Sequence, residues 1–343
     1  MSAYELNERE RTVLAVLIDH YIRTAEPVGS RTIATRYNMG VSPATVRNTL
    51  AVLEERGFIT QPHTSAGRVP TDRGYRLYID QLLKSEKLAA ADREKIRREL
   101  STDFSAIEDI LEQTSRVLAT ISTQLGVTVG PKFEQGILER IEAIPVSENK
   151  LLVVLMVKSG VVRTVLVEID RLERSSGLAD TVALLNEKLC GLSLKEIKAT
   201  IRERLRDTGR GNPQLLKLFM ENHEAVLDDS RDSSFYTDGT INIVQKKEFQ
   251  DPRKLREFLT LLEERRSLVA LLNREPQSEG ILVTFGTESD IEGISGCVVV
   301  ASSYQAGNVS GKVGIIGPTR MQYAKLMPVV EYTAKILSEI LSR

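Results

Sequence analysis

Residues 28–70 read VGSRTIATRYNMGVSPATVRNTLAVLEERGFITQPHTSAGRVP, and this stretch decides the fold. Ser30 is placed to accept a hydrogen bond from the first turn of a short helix, which Gly40 helps to end. Ser42 and Pro43 then open a second helix, because a hydroxyl cap and a proline without an N–H both suit a helix N-terminus. Two short helices joined by a tight turn predict a helix-turn-helix.

The second helix has an apolar side and a polar side. On a wheel of 3.6 residues per turn, the apolar side consists of Val46, Thr49, Leu50 and Leu53. The side that points away consists of Ala44, Thr45, Arg47, Asn48 and Ala51. In a DNA major groove arginine pairs with guanine, asparagine pairs with adenine, and alanine or threonine methyl groups contact the methyl of thymine. The outer side is therefore predicted to read base edges.

Positive charge is concentrated in the same stretch. Residues 30–53 contain three arginines and no acidic residue, although the formal net charge of the whole chain is −1. Attraction to phosphates is therefore expected at this end of the protein. The candidate DNA-binding residues are Ser30, Arg31, Ser42, Ala44, Thr45, Arg47, Asn48, His63 and Arg68.

Two extended segments follow the helix pair, at 58–61 and 68–69, with 62–67 as the tip between them. They predict the wing of a winged helix. Arg68 is expected to contact a phosphate or the minor groove, and phosphate contacts are the more frequent kind. His63 at the tip is expected to meet solvent or a phosphate. The helix pair alone is equally consistent with a simple αα-hairpin, and the wing, the local charge and the capped helix together favour DNA binding.

Three runs carry a family resemblance: EPVGSRTIATRY at 26–37, GVSPATVRN at 40–48 and QPHTSAGRVPTDRGYR at 61–76. They resemble the bacterial heat-inducible repressor family HrcA. The resemblance implies a dimeric repressor of class I heat-shock (chaperone) operons that binds double-stranded operator DNA, the CIRCE inverted repeat. It also implies that the chaperonin GroEL modulates the activity.

Composition agrees with a globular protein of two or three domains, with 343 residues, 41% hydrophobic and 27% charged. No signal-peptide pattern and no membrane-length apolar run is present, so we expect a cytoplasmic protein with no membrane contact. The nucleophile elbow, zinc-protease, P-loop and dinucleotide motifs are missing, which argues against an enzyme. Isolated cysteines and dispersed histidines predict no metal and no cofactor.

Beyond residue 84 the hydrophobic period changes several times. Helical segments are predicted at 6–24 and 71–82 within the first 84 residues and, beyond them, at 96–125 with a stop at Gly126, 178–189, 194–205, 213–219, 251–273 and 323–341. Strands are predicted at 137–144, 151–157, 161–169, 240–244, 281–285, 296–301 and 311–316. A sheet that is interrupted by helices and then resumes predicts one domain inserted in another.

The expected fold class is α+β with four regions. They are a winged-helix DNA-binding domain at 1–84, a helical linker at 85–135, a GAF-like sensor-type domain at 136–170 and 235–343, and an inserted, mainly helical dimerisation domain at 171–234. The GAF-like name and the dimerisation role come from the HrcA resemblance.

Two other functions stay open at this point. One is a metabolite-sensing winged-helix regulator of IclR type, in which residues 285–288 and Tyr304 would line a pocket. A turn capped by Glu288 is the simpler explanation of that motif. The other is a scaffold that does not bind DNA.

Overall fold

The structure is a computed structural model. It describes residues 6–63, 66–84, 86–101, 106–131, 133–158, 160, 162–168, 177–206, 209–221, 235–274, 280–289, 291, 293–294 and 296–342. Residues 64–65 of the predicted wing tip, 102–105 of the predicted helix at 96–125, and 171–176, 207–208 and 222–234 of the predicted insert lie outside the described residues.

The described elements alternate between helical and extended regions. The helices are α1 (Glu8–Thr24), α2 (Ser30–Arg36), α3 (Pro43–Glu55), α4 (Asp72–Leu77, continued by a π-helical turn Tyr78–Leu82), α5 (Ala90–Leu100), α6 (Ile107–Ser122), α7 (Leu178–Leu189), α8 (Leu194–Arg204), α9 (Pro213–Glu221), α10 (Thr240–Val244), α11 (Pro252–Glu263), α12 (Arg265–Leu272) and α13 (Tyr323–Leu341). The strands are β1 (Ile59–Thr60), β2 (Val69–Pro70), β3 (Leu125–Val129), β4 (Leu138–Ser147), β5 (Lys150–Val157), β6 (Val162–Glu168), β7 (Phe235–Asp238), β8 (Ile281–Phe285), β9 (Cys297–Ala306) and β10 (Val309–Pro318). Within these described helices, none is both long and apolar enough to cross a membrane.

Helices α1 to α4 and the β1–β2 pair form the winged-helix head, as predicted. Helix α1 begins with a capping box between Asn7 and Glu10 and lies behind α2 and α3. His20 on α1 is only 7% exposed, and its Nδ1 lies 2.9 Å from the hydroxyl of Tyr37 at the end of α2. This contact attaches the turn of the helix-turn-helix to the scaffold helix.

The main sheet is antiparallel throughout and has the strand order β7-β3-β10-β9-β8. Helices α5, α6 and α13 pack on one face, and α11 and α12 pack on the other. The alternation of buried residues along β3 explains this arrangement, because Leu125, Val127 and Val129 all face the α11–α12 layer. The five-stranded sheet combines β3, from the predicted linker at 85–135, with β7 to β10 from 235–318.

Two predictions in this unit were wrong. Residues 96–125 do not form one helical stretch, because α5 and α6 are separate helices and Leu125 begins strand β3. Gly126 does not stop a helix but lies inside β3, where an added Cβ would be 2.1 Å from the carbonyl oxygen of Ser115 on α6. The glycine therefore permits close contact between strand and helix.

The strand predicted at 240–244 is helix α10, and the actual strand, β7, directly precedes it. Gly239, at φ 86°, turns the chain between the two. The isoleucines of this segment show a helical rather than a strand-like exposure, since Ile243 is buried and Ile241 is 62% exposed. The predicted helix at 251–273 is likewise divided at Glu264 into α11 and α12.

The meander β4-β5-β6 forms as predicted, but it is a sheet of its own. Its core is shared with α7, α8 and α9. The side chain of Asn186 on α7 accepts from Ile141 N at 2.8 Å and donates to Ile141 O at 2.9 Å, which attaches the helix directly to β4. The strands β4 to β6, which were predicted to belong with 235–343, therefore pack with the predicted insert rather than with the five-stranded sheet. This unit is mixed rather than mainly helical.

The head is docked on the five-stranded sheet. One hydrophobic core runs from α1 and α4 through α5 and α6 to α13 and the sheet. Arg76 on α4 forms an ion pair with Glu288 and donates to the carbonyl of Val283 at 2.7 Å. On the other side, Arg320 donates to the carbonyl of Ile22 at 2.9 Å. The head and the sheet are therefore held together by both apolar and polar contacts.

The buried position of His20 predicts a pH-dependent loss of stability. Burial, and then the charge of Arg36, lowers the pKa of His20 below its ordinary value of 6.5. Between the lowered pKa of the folded state and the ordinary pKa of the unfolded chain, the unfolded chain binds more protons. The contribution of neutral His20 to stability is therefore present above about pH 6.5 and is lost as the pH falls. We expect acidification from about pH 7.5 to about pH 5.5 to lower the free energy of unfolding more in the wild type than in His20→Gln, measured by chemical denaturation. The matched control is His63→Gln, and equal losses in wild type and His20→Gln would contradict the prediction.

Candidate nucleic-acid interface

Helix α3 has the two-sided character that the sequence predicted. Val46, Thr49, Leu50 and Leu53 are buried. On the opposite side Ala44, Arg47, Asn48 and Ala51 are exposed, and Thr45 is half-buried. The exposed positions follow steps of three and four residues and so form one continuous face. At 13 residues, α3 is about 20 Å long, which suits insertion into a major groove.

Ser42 fixes the start of this helix. Its hydroxyl accepts a hydrogen bond from Thr45 N at 3.1 Å and lies 3.0 Å from the Thr45 hydroxyl. Pro43 occupies the first turn, as predicted. The other predicted cap was wrong, because Gly29 and not Ser30 is the residue before α2, and no side chain caps that helix. Ser30 is the half-buried first residue of α2 instead.

Three arginines give the surface its positive charge. Arg31 and Arg36 on α2 and Arg47 on α3 are all exposed. Within the described residues none of the three is in an ion pair, so their guanidinium groups have no acidic partner. Arg36 was counted in the local charge but not among the candidates, and its exposure adds it to the set that can meet phosphates.

The wing is a short antiparallel ladder in which Ile59 pairs with Pro70 and Thr60 with Val69. Arg68 extends the pairing, since its backbone exchanges hydrogen bonds of 2.8 and 2.9 Å with Val28, ahead of α2. A Cβ at Gly67 would lie 2.5 Å from the Val28 backbone, so only glycine allows the chain to cross here. His63 is exposed beside the wing tip, as predicted.

The side chain of Arg68 is engaged within the head. Its Nε donates to Glu54 Oε2 at 2.9 Å, so the wing is tied to the last turn of α3. Both side chains are partly exposed, at 23% and 32%, and ion pairs of this kind contribute only about 0–1 kcal/mol. A phosphate therefore competes for Arg68 at small cost, and its contact with DNA stays a prediction. The sequence pattern does not reveal the role of Glu54, because the pair joins residues 14 positions apart in different elements.

The residues suggested as a metabolite pocket have structural roles. Glu288 accepts from the backbone N–H of Phe285 at 3.0 Å, which is the turn cap that we favoured, and it also binds Arg76. Tyr304 is fully buried, and its hydroxyl donates to the carbonyl of Val129 at 3.0 Å. These groups hold the sheet and the head together.

The site combines a capped helix with an exposed polar face, an adjacent wing and three exposed arginines on α2 and α3. These features define a winged-helix protein of the DNA-binding class. Residues 5–83 match the family described as winged helix-turn-helix transcription repressor, HrcA DNA-binding. Residues 108–327 match the family described as HrcA protein C terminal domain. The chain therefore belongs to the HrcA family.

Individual relatives are similar over the full length. A heat-inducible transcription repressor HrcA of Geobacter sulfurreducens is 38% identical over 338 residues, which covers 98% of each chain. One of Chlorobium phaeobacteroides is 36% identical over 353 residues, which covers 100% of each. Among solved structures, a hypothetical protein aligns over 98% of this chain and 99% of its own, with a TM-score of 0.60 and 25% identity. Head, sheet and inserted unit are thus all within the matched length.

The position of Arg47 predicts a loss of sequence discrimination when it is truncated. An arginine that pairs with a base contributes about 1–3 kcal/mol of preference for the right base. We expect Arg47→Ala to weaken binding to the operator by that amount while binding to random DNA falls much less, as measured by fluorescence anisotropy at fixed salt. Arg253→Ala, which removes an 87% exposed arginine on α11, is the matched control and should change neither affinity. Parallel losses on both DNAs would instead assign Arg47 to the phosphate backbone.

Proposed function

We propose that this chain is a cytoplasmic, heat-inducible transcription repressor that binds an inverted-repeat operator as a homodimer. The observation that carries the proposal is the exposed face of α3, where Ala44, Arg47 and Asn48 stand clear of the protein. Family membership supports repression of chaperone operons through the CIRCE repeat, and the names of the relatives support induction by heat.

The physical basis of repression is occupancy of the operator. One short helix contacts few bases, whereas two copies related by a twofold axis contact two half-sites on one face of the duplex. Ser42, Thr45 and Asn48 supply hydrogen-bonding groups at the start of α3, and Arg31 and Arg36 supply charge beside it. In this proposal His63 and Arg68 add phosphate contacts from the wing.

Exposed apolar side chains on the outer face of the β4-β5-β6 sheet support the proposal of a dimer. Ile144 and Leu166, in register through the central strand, are 48% and 51% exposed. Val146 and Val162 on the same sheet are 58% and 49% exposed. Exposed apolar patches of this kind on a folded unit mark interaction surfaces. We propose that a second copy of the chain covers this face, so that the inserted unit joins the two protomers.

The proposal includes a link to GroEL, which rests on the family resemblance. In this scheme GroEL keeps the repressor competent to bind DNA, and unfolded proteins produced by heat draw GroEL away. The expected consequence is that purified repressor contains an inactive fraction, and that added GroEL raises the fraction that binds operator.

The function is tested by titrating the full chain against a duplex with the CIRCE inverted repeat at physiological salt. We expect affinity at least about 1,000-fold higher for the repeat than for a scrambled duplex of equal length and composition. The fraction of repressor that binds operator, measured by stoichiometric titration of the same sample with and without GroEL, tests the chaperonin link separately. Equal affinity for both duplexes would overturn the repressor proposal.

The exposed sheet face predicts a specific loss of dimerisation. Placing two carboxylates there, with Ile144→Glu and Leu166→Glu together, should give a monomer, because burying unpaired charge at an interface is costly. Sedimentation velocity measures the state, and the loss of one half-site contact should weaken operator binding as well. Ile241→Glu, at a 62% exposed site on α10, is the matched control and should stay dimeric. A dimer that survives the double substitution would place the interface elsewhere.

A further inference from the structure

The exposed face of α3 ends in two acidic residues, Glu54 and Glu55. Glu54 follows Ala51 by three positions and Arg47 by seven, so the helical period places it on the same side of α3 as these two residues. A carboxylate is unfavourable here, because the C-terminal end of a helix carries partial negative charge and the phosphates of DNA are negative. No basic residue occupies the last turn of α3. Any contact that compensates for Glu54 must therefore come from another element.

Arg68 of the wing provides that contact. Its Nε donates to Glu54 Oε2 at 2.9 Å, and its Nη2 lies 2.8 Å from the same oxygen. The backbone of Arg68 is fixed as well, by its two hydrogen bonds with Val28 ahead of α2. The wing arginine is therefore held at its backbone by the start of the helix-turn-helix and at its side chain by the end of α3.

The contact uses only one edge of the guanidinium group. Arginine has five N–H donors, and Glu54 accepts from two of them. Among the described residues the Nη1 group of Arg68 makes no hydrogen bond and no ion pair. The Arg68 side chain is 23% exposed, so these donors are accessible from solvent. Besides replacing the carboxylate, a phosphate can therefore bind next to it and leave the pair intact.

The pair also changes the distance over which the charge of Arg68 acts. Guanidinium and carboxylate together have no net charge, so their field falls off faster with distance than the field of a single cation. The unpaired arginines of α2 and α3 act over about one Debye length, about 8 Å at physiological ionic strength. Arg68 acts only on a phosphate within hydrogen-bonding distance. It therefore adds little to the general attraction of DNA and more to a complex in which α3 is fully inserted in the groove.

We propose that Glu54 is a positioning residue for operator recognition, which holds Arg68 in one orientation so that the wing and α3 engage the duplex as one unit. This inference rests on the proposed function and adds a residue to it. Because an α-helix rises 1.5 Å per residue, Glu54 lies about 10 Å beyond Arg47 along α3. The phosphate contact of the wing is thereby kept at a fixed distance from the bases that Arg47 reads. Glu54 thus raises the preference for the operator although its own charge repels DNA.

The test compares Glu54→Gln with Glu55→Gln in the full chain, by fluorescence anisotropy with the CIRCE duplex and with a scrambled duplex of equal length. Both substitutions remove one negative charge from the same turn, and Glu55 is exposed with no ion-pair partner among the described residues. Glu55→Gln should therefore strengthen binding to both duplexes by the same factor. Glu54→Gln also releases Arg68, so it should lower the ratio of CIRCE affinity to scrambled affinity about 3-fold or more. The salt dependence on the scrambled duplex should steepen by about one unit, because one cation is freed.

A double-mutant cycle with Arg68→Ala makes the assignment specific. Without the arginine, Glu54→Gln should act only through its charge and should match Glu55→Gln on both duplexes. Thermal unfolding checks the fold, and the midpoint should shift little because exposed ion pairs contribute little to stability. An unchanged affinity ratio in Glu54→Gln, or the same fall in the ratio with and without Arg68, would overturn the proposal. A wild type that binds both duplexes equally would overturn the repressor proposal as well, so the two failures are distinguishable.

Discussion

Arg76 is the contact through which the head is positioned on the rest of the molecule. Its guanidinium binds the carboxylate of Glu288 and the carbonyl of Val283, and it lies 4.9 Å from the centre of the Phe285 ring. Beside it Tyr75 enters the hydrophobic core that α13 and the sheet share with the head. Since charged and apolar contacts coincide at one helix, α4 transmits the orientation of the sheet directly to the scaffold of the helix-turn-helix. The orientation of α3 therefore depends on the contacts of the head with the sheet and α13, as well as on packing within the head.

The five arginines of residues 28–70 fall into two groups with different physical roles. Arg56 and Arg68 pair with Glu10 and Glu54, so they join the end of α3 and the wing to neighbouring helices. Arg31, Arg36 and Arg47 are exposed, and no acidic side chain of the described residues neutralises them. In a chain whose formal net charge is −1, this division concentrates positive potential on one surface without a high overall charge. Such local charge attracts DNA while limiting attraction elsewhere.

Local patterns in the sequence predicted the head well. The buried and exposed sides of α3 follow from the helical period, and the Ser42 cap follows from side-chain chemistry within three residues. The patterns missed the features that depend on packing between residues far apart in the sequence. The sequence suggests that Gly126 stops a helix, but it is a strand residue whose added Cβ would lie 2.1 Å from a carbonyl oxygen of α6. The sequence likewise suggests that Arg68 has no partner, but its side chain binds Glu54. The strands β4 to β6 were found, but only the fold shows that their core is completed by α7 to α9.

The inserted unit leaves and re-enters the main sheet at neighbouring points. Val129 is the last residue of β3, Phe235 is the first of β7, and the two are paired across the ladder. The segment between Val129 and Phe235 therefore connects two paired strand ends, as the loop of a hairpin does. A short turn in place of this segment would preserve every hydrogen bond between the strands of the five-stranded sheet. The inserted unit can therefore be exchanged, enlarged or lost during evolution while the sheet that supports the head stays intact.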